Sequence, residues 1–426
     1  MHERRAVSAW ALYDFANSPF TTLVVTFVYA TYFTQAIAPD PISGTVLWSR
    51  AITITALVVA ICSPILGALA DRGGFRKSFV VLATLVSAAA TAALYDVLPG
   101  EVARALLFVI IANIAFEFGT VFYNAFLPDV STPRNIGTVS GWGWGLGYVG
   151  GLLALALALV GFVRTDTPWF GVSAEGGANI RATNVFVAVW FVVFSLPLFI
   201  FVKEDKSRIS RRGQVIGDSL RQLVSTFRGI RRHRETVKFL IARLIYNDGL
   251  VTIFAFGGIY AAESFGFAIE EVLVFGIVIN FAAGIGAILM GYLDDKVGAR
   301  LTIIVSLWGL IGATLVAVFA QQKLWLWVAG VLIGIFVGPN QSASRSLMGR
   351  FAPEDMKNEF FGFFAFSGKL TAFMGPFLLG LMTQVSGSQR VGVAVVLIMF
   401  VAGLILLYGV RDPSIRELPA AAGGTP

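Results

Sequence analysis

Gly67-Ala-Leu-Ala-Asp71-Arg72-Gly73-Gly74-Phe75-Arg76-Lys77 stands between two long apolar stretches, and Gly291-Tyr-Leu-Asp294-Asp295-Lys296-Val297-Gly298-Ala299-Arg300 stands between two others. A constant shift of 224 residues lays Gly67 on Gly291, Asp71 on Asp295, Arg72 on Lys296, Gly74 on Gly298 and Arg76 on Arg300. A weaker echo joins Tyr13-Asp14 to Tyr246-Asn247-Asp248. The chain therefore reads as two copies of one unit, and internal repeats of this size mark secondary transporters.

Composition says in which solvent the two copies fold. Of 426 residues 57% are hydrophobic and 13% charged, with a mean hydropathy of +0.78; soluble domains carry about 25% charge. There are too few charges to cover a water-soluble surface, so lipid is the solvent and a soluble enzyme is excluded. A spanning helix needs about 20 mostly apolar residues, and twelve such stretches are present, at 10–36, 48–70, 78–97, 102–127, 137–163, 183–202, 237–262, 271–293, 301–320, 324–345, 360–385 and 390–410. The fold class expected is all-α integral membrane, with twelve transmembrane helices as two six-helix bundles. The first stretch contains Asp14 and Asn17 and is too long and polar for a signal-peptide core, so it reads as a retained span. Cys62 is the only cysteine and lies in an apolar run, which leaves no disulfide framework.

Basic loop residues set the orientation. One set of loops holds Arg4, Arg5, Arg72, Arg76, Lys77, Arg134, Lys296, Arg300, Arg350, Lys357, Arg411 and Arg416, the 203–238 segment adds eleven more, and Arg345 lies at the same edge. The opposite set holds only Arg50, Arg104, Arg164, Arg181, Lys323 and Arg390. Both termini are expected in the cytoplasm of a bacterial cell, with the chain multi-pass in the inner membrane. The expected division is 1–202 for the first bundle, 203–236 for a basic linker, 237–412 for the second bundle and 413–426 for a disordered cytoplasmic tail. Within the linker Ile216, Leu220, Leu223, Phe227 and Ile230 recur at helical spacing among arginines. That pattern fits an amphipathic helix on the anionic leaflet, a tether between the bundles.

The repeated Gly-x-x-x-Asp-Arg/Lys-x-Gly-x-Arg resembles the signature loop of the major facilitator superfamily, and the resemblance covers nearly the whole chain. Trp10-Ala-Leu-Tyr-Asp14-Phe-Ala-Asn17-Ser18, Tyr123-Asn124-Ala-Phe-Leu-Pro128-Asp129, Tyr246-Asn247-Asp248-Gly249, Gly338-Pro-Asn340-Gln341-Ser-Ala-Ser344-Arg345-Ser346 and Glu359-Phe-Phe-Gly362 are similar to the autophagy-related vacuolar effluxer family, which has many bacterial members. The resemblance implies the major facilitator fold, and it implies amino-acid efflux as the kind of activity. It also implies that Arg76 pairs with Asp129. Asp71 is expected near the positive N-terminal end of the eleventh helix, about Glu359–Gly362. The glycines allow tight turns and close helix approach. Gly67, Asp71, Arg72, Gly74, Arg76 and Asp129, with Gly291, Asp295, Lys296, Gly298 and Arg300, are thus expected to latch the cytoplasmic side.

Ionisable residues inside spans carry further information, since each costs at least about 2.5 kcal/mol at a helix centre. They are Asp14, Glu117, Arg243, Asp248 and Lys369. The spans place Asp14 and Asp248 in the cytoplasmic third and Glu117 and Lys369 nearer the midplane; Arg243 reads as a snorkelling residue. Asp14 is the first candidate for ion coupling. It precedes Asn17-Ser18-Pro19 by one turn, and the proline frees a backbone carbonyl that could coordinate an ion. The rival role for Asp14 is packing alone, through Asn17 or a neighbouring helix. Glu117 and Lys369 either pair at rest or separately face the amine and carboxylate of a zwitterion. Asn124, Asn247, Asn340 and Gln341 fall on helices four, seven and ten, which the resemblance implies line the cavity; interhelical adhesion, worth about 0.6 kcal/mol each, is the competing role. Gly143, Gly147 and Gly151 form a small-residue stripe on helix five suited to sliding contact.

No Walker loop and no paired His/Cys spacing is present, so neither a metal nor a cofactor is expected. The expectation is alternating-access export of a small organic solute, an amino acid or related metabolite, by a proton-coupled monomer that binds no nucleic acid. The Tyr13–Asn17 segment also resembles glycoside–cation symporters, so cation-coupled symport is the alternative, with a lipid flippase or a non-transporting receptor behind it.

Overall fold

The computed structural model describes residues 2–165, 167–204, 215–228 and 230–413. The expected tail beyond Pro413 and the 205–214 part of the linker lie outside the described residues. Every regular element among those described is helical, and twelve helices are long and apolar enough to cross a membrane. They are span 1 Arg4–Ile37, span 2 Pro41–Gly73, span 3 Arg76–Asp96, span 4 Val102–Val130, span 5 Ile136–Val163, span 6 Glu175–Phe201, span 7 Arg234–Phe265, span 8 Glu271–Val297, span 9 Ala299–Phe319, span 10 Lys323–Phe351, span 11 Lys357–Ser386 and span 12 Gln389–Tyr408.

Span 2 starts well before the expected 48. Asp40 caps it by accepting from the amides of Ile42 at 3.0 Å and Ser43 at 2.9 Å, and Pro41 fits the first helical position. It ends where Gly74 turns left-handed at φ 61° and donates to the Ala70 carbonyl. Span 1 changes winding after Pro19, from α-helix to a π-helical segment, Phe20–Phe27. The carbonyl that Pro19 cannot serve is that of Phe15. It accepts from Trp190 Nε1 of span 6 at 3.1 Å, so it fastens two helices and does not present itself to an ion. That corrects the expectation drawn from the proline.

Span 11 also departs from the single helix expected over 360–385. It consists of Lys357–Lys369 and Met374–Ser386, separated at 370–373. Pro376 has no N–H for the carbonyl four residues back, which weakens the helix at that point.

Buried apolar side chains gather in two clusters. One runs from Ala9 to Val202, and the other joins Val121 and Ala125 to residues from Phe239 to Val410. The two sets of spans meet where span 2 packs on span 11 and span 5 on span 8. Small residues make those contacts close. A Cβ on Gly67 would overlap the Asn358 carbonyl, and one on Gly362 would lie 2.5 Å from that of Ser63. One on Gly291 would lie 2.9 Å from the Gly137 carbonyl. The Gly143, Gly147 and Gly151 stripe faces Asp14, Ser18 and Thr22 of span 1.

The linker helix, Val215–Arg228, does not simply lie on lipid as its pattern suggested. It packs against span 2, with Ser219 and Gln222 buried. The side chains of Ile216, Leu220, Phe227 and Ile230 lie outside the described residues.

Candidate functional site

The end of the bundle that carries the two signature loops is closed by reciprocal helix caps. Asp71, in the last turn of span 2, accepts through Oδ1 from the Asn358 amide at 3.0 Å and Asn358 Nδ2 at 2.6 Å. Its Oδ2 accepts from the Glu359 amide at 2.9 Å. Asp295, in the last turn of span 8, accepts from the amides of Gly137 at 2.7 Å and Thr138 at 2.8 Å. Each carboxylate thus sits on the positive N-terminus of a helix in the other half. The repeated sequence folds into a repeated contact.

The charged partners are less symmetrical. Asp129 pairs with Arg76 of its own half and with Lys357 of the other. Arg300, the counterpart of Arg76, stays within its half: it donates to the carbonyls of Leu407 at 3.3 Å and Tyr408 at 2.9 Å, and its amide to Asp412 at 3.0 Å. The cross-half role expected of Arg300 is therefore not what its contacts make. Arg350 of span 10 also pairs inside the second half, binding Asp294 at 2.6 Å and Asp295 at 3.4 Å. Arg72 is half-buried and Lys296 exposed, and neither makes a hydrogen bond across the halves among the described residues. Gly298 adopts φ 92°, where its amide reaches the Asp294 carbonyl at 2.9 Å. The linker joins this closure, for Gln222 donates to Glu359 Oε2 at 2.5 Å with both side chains buried.

One layer further in, Arg345 bridges the halves. Its Nη1 donates to Asp14 Oδ2 at 2.8 Å and to Asn124 Oδ1 at 3.2 Å. Nε and Nη2 donate to the Ser140 hydroxyl at 3.0 Å and carbonyl at 2.7 Å. Trp10, Tyr123 and Trp144 surround the guanidinium at 4.8, 5.8 and 5.5 Å. With 3% of its side chain exposed, this cation is sealed inside the seam. Arg345 is thus not the edge charge expected of it, and of the two packing partners expected for Asp14 it is a neighbouring helix that supplies one; Asn17 is buried beside it without a hydrogen bond among the described residues.

Deeper still, Lys369 Nζ donates to Glu117 Oε1 at 2.6 Å, with 34% and 18% of the side chains exposed. Arg243 is stacked on Phe364 at 3.6 Å and donates to the Phe364 carbonyl at 2.7 Å and the Ser367 hydroxyl at 2.8 Å. Those contacts replace the snorkelling that its position suggested. Asn247 donates to the Gly368 carbonyl at 3.2 Å, and Gln341 accepts from the Tyr148 hydroxyl at 3.0 Å. Two expected cavity residues lie elsewhere. Asn340 is fully buried and donates to Ser306 of span 9 at 2.9 Å, inside its own half. Asp248 lies near the middle of Arg234–Phe265, not in its outer third, and is 3% exposed.

Toward the opposite end, the second half encloses an apolar cavity of about 160 Å³, lined by residues that include Thr252, Tyr260, Phe275, Asn280, Leu326 and Leu379.

Twelve spans in two sets, closed at one end by reciprocal caps, with a charged, partly accessible layer above, define a membrane transporter of the major facilitator fold. The fold is shared at TM-score 0.74 with the proton:xylose symporter XylE, at 12% identity over 96% of this chain and 95% of that one. FucP in its outward conformation matches at TM-score 0.75, with 14% identity over 96% and 98% of the two chains. The chain is 29% identical to the MFS-type transporter YxiO of Bacillus subtilis (strain 168) over 96% of both. It is 22% identical to autophagy-related protein 22 of Coccidioides immitis (strain RS), covering 87% of this chain and 74% of that one. Residues 42–416 match the family described as vacuole effluxer Atg22 like, and the chain belongs to that family of transporters. It is not an enzyme.

Proposed function

We propose that this transporter exports a small organic solute, an amino acid or related metabolite, by alternating access driven by protons. The observation that carries the reading is the layering of the seam. Helix caps and buried ion pairs join the halves at the signature-loop end, while the Glu117–Lys369 pair beyond them remains partly accessible. The excess of Lys and Arg on the loop end supports a cytoplasmic position for that end. The conformation is then closed inward, and breaking the caps opens it. A zwitterion suits the charged layer, because its carboxylate can take Lys369 and its amine Glu117 when that pair parts. Asp14, whose neutralisation would release Arg345 from the seam, is the coupling residue of this scheme, and the two proton symporters that share the fold make protons the first ion to test.

The test is counterflow of labelled amino acids in proteoliposomes under an imposed pH gradient. Glu117→Gln and Lys369→Met are each expected to lower flux about tenfold or more, the equivalent of a charge-assisted hydrogen bond of ~1.5–3 kcal/mol. Flux that follows Na⁺ and ignores pH would replace the proton with a cation. Absence of any amino-acid flux, with lipid scrambling instead, would favour the flippase.

A further inference from the structure

The break in span 11 leaves the helix Met374–Ser386 starting inside the bundle. The Met374 amide donates to the Thr371 carbonyl at 2.7 Å and Pro376 has no N–H, so Gly375 is the first-turn amide without a backbone partner. Asp248 of span 7 serves it, accepting through Oδ2 at 3.0 Å. Its Oδ1 is buried and has no partner among the described residues.

No basic side chain compensates this carboxylate. Met374–Ser386 carries no ionisable residue. On the other elements packed against span 7, Lys369 is held by Glu117, Arg345 by Asp14, and Arg350 by Asp294 and Asp295. Glu359 holds Gln222 and Arg390 the Val318 carbonyl. On span 7 itself Arg243 is given to Phe364 and Ser367, and Tyr246 to Ser344. An uncompensated carboxylate out of water either bears a heavy desolvation cost or takes a proton. A metal is the poorer occupant, since no group of three acidic, His or Cys side chains gathers among the described residues.

We propose that Asp248, together with the Gly375 end of the interrupted span 11, is a proton-binding site separate from Asp14, with the proton on Oδ1. As an anion, Asp248 is favoured by the N-terminal dipole of Met374–Ser386 and holds Gly375 by a charge-assisted bond. As a neutral acid it holds Gly375 by an ordinary one, so protonation loosens the joint at 370–373. The other piece of span 11, Lys357–Lys369, is a rod between that joint and the latch. Lys369 is at one end, and the Asn358 and Glu359 amides that Asp71 holds are at the other. The proton arrives from water at the open side, sits on one carboxylate oxygen and returns to water after the latch opens, with no other reagent consumed. As a step in transport the site rests on the function proposed above; as a place where a proton binds it does not.

Infrared difference spectra of the full chain in bilayers, titrated with acid, test occupancy directly. The protonated-carboxyl signal is expected to contain one component that is missing in Asp248→Asn and present in Asp14→Asn. Spin labels at the exposed Arg134 and Asp355 positions read the latch. Their separation should lengthen on acidification in wild type, fail to respond in Asp248→Asn, and respond with a displaced midpoint in Asp248→Glu. If Asp248→Asn does not fold, the midpoint in Asp248→Glu decides. A carboxyl spectrum that is unchanged in Asp248→Asn, a midpoint that ignores both substitutions, or a response to Na⁺ at fixed pH overturns the proposal. An intact band in a protein that moves no solute would leave the site standing and sink the transport reading.

Discussion

Arg345 shows how much a single side chain can hide from sequence. The apolar pattern ends near it, so it reads as a loop-edge charge; span 10 instead continues to Phe351 and draws the guanidinium into the seam. The signal that marks it is local. Ser342, Ser344 and Ser346 flank it with small buried polar residues, which suit a cation enclosed by hydrogen bonds rather than one reaching for water. Asp14 was legible as a membrane-embedded acid, yet its partner lies 331 positions away and no spacing rule links the two. The pair yields a prediction at this scale. Arg345→Met leaves Asp14 uncompensated and should cost about 3–5 kcal/mol. Asp14→Asn combined with Arg345→Met should recover most of that loss in thermal unfolding of the purified protein. Equal destabilisation by the single and double variants would mean that the guanidinium's packing on Trp10 and Tyr123, and not its charge pair, holds the seam.

Helices were legible wherever apolar length alone defines them, and less so where a neighbour decides. The capped extension of span 2 follows from Asp40-Pro41, a local signal. The interruption of span 11 needs Pro376 and the Asp248 side chain together, and the second comes from another helix. The linker helix was readable as amphipathic, but hydrophobic periodicity cannot distinguish a lipid surface from a protein one. Its buried Gln222 does so. Two outcomes follow for elements. Gly67→Val places branched carbon against the Asn358 backbone, which cannot yield, so the seam between spans 2 and 11 should fail to close. Thiol-reagent access to cysteines placed along the loop side of that seam should then rise well above wild type. Gln222→Leu removes the donor to Glu359 and leaves that acid buried without it, a loss of about 1–3 kcal/mol. It should shift the same access measurement in the same direction but by less. Unchanged access in Gly67→Val would mean that the backbone yields and the seam still closes around the larger side chain.

At the scale of the molecule, the duplicated loop foretold more than the duplicated fold. It placed Asp71 against the start of span 11, and the matching position, Asp295, makes the mirror contact on span 5. The register broke at Arg300, whose guanidinium goes to the span 12 carbonyls of Leu407 and Tyr408. Orientation follows from charge alone, so fusing alkaline phosphatase to either terminus should give inactive enzyme, whereas fusion after Pro168 should give active enzyme. The reverse pattern would invert every assignment of inside and outside made above.

A transporter that opened both faces at once would be a hole, and the gradients on either side would collapse through it. Two cross-braced caps, each worth about 0.3–2 kcal/mol, fail together far more rarely than either fails alone. A chain that loses Asp71 or Asp295 should therefore become sluggish or biased in its cycle before it becomes leaky, and the cell carrying it should keep its membrane potential.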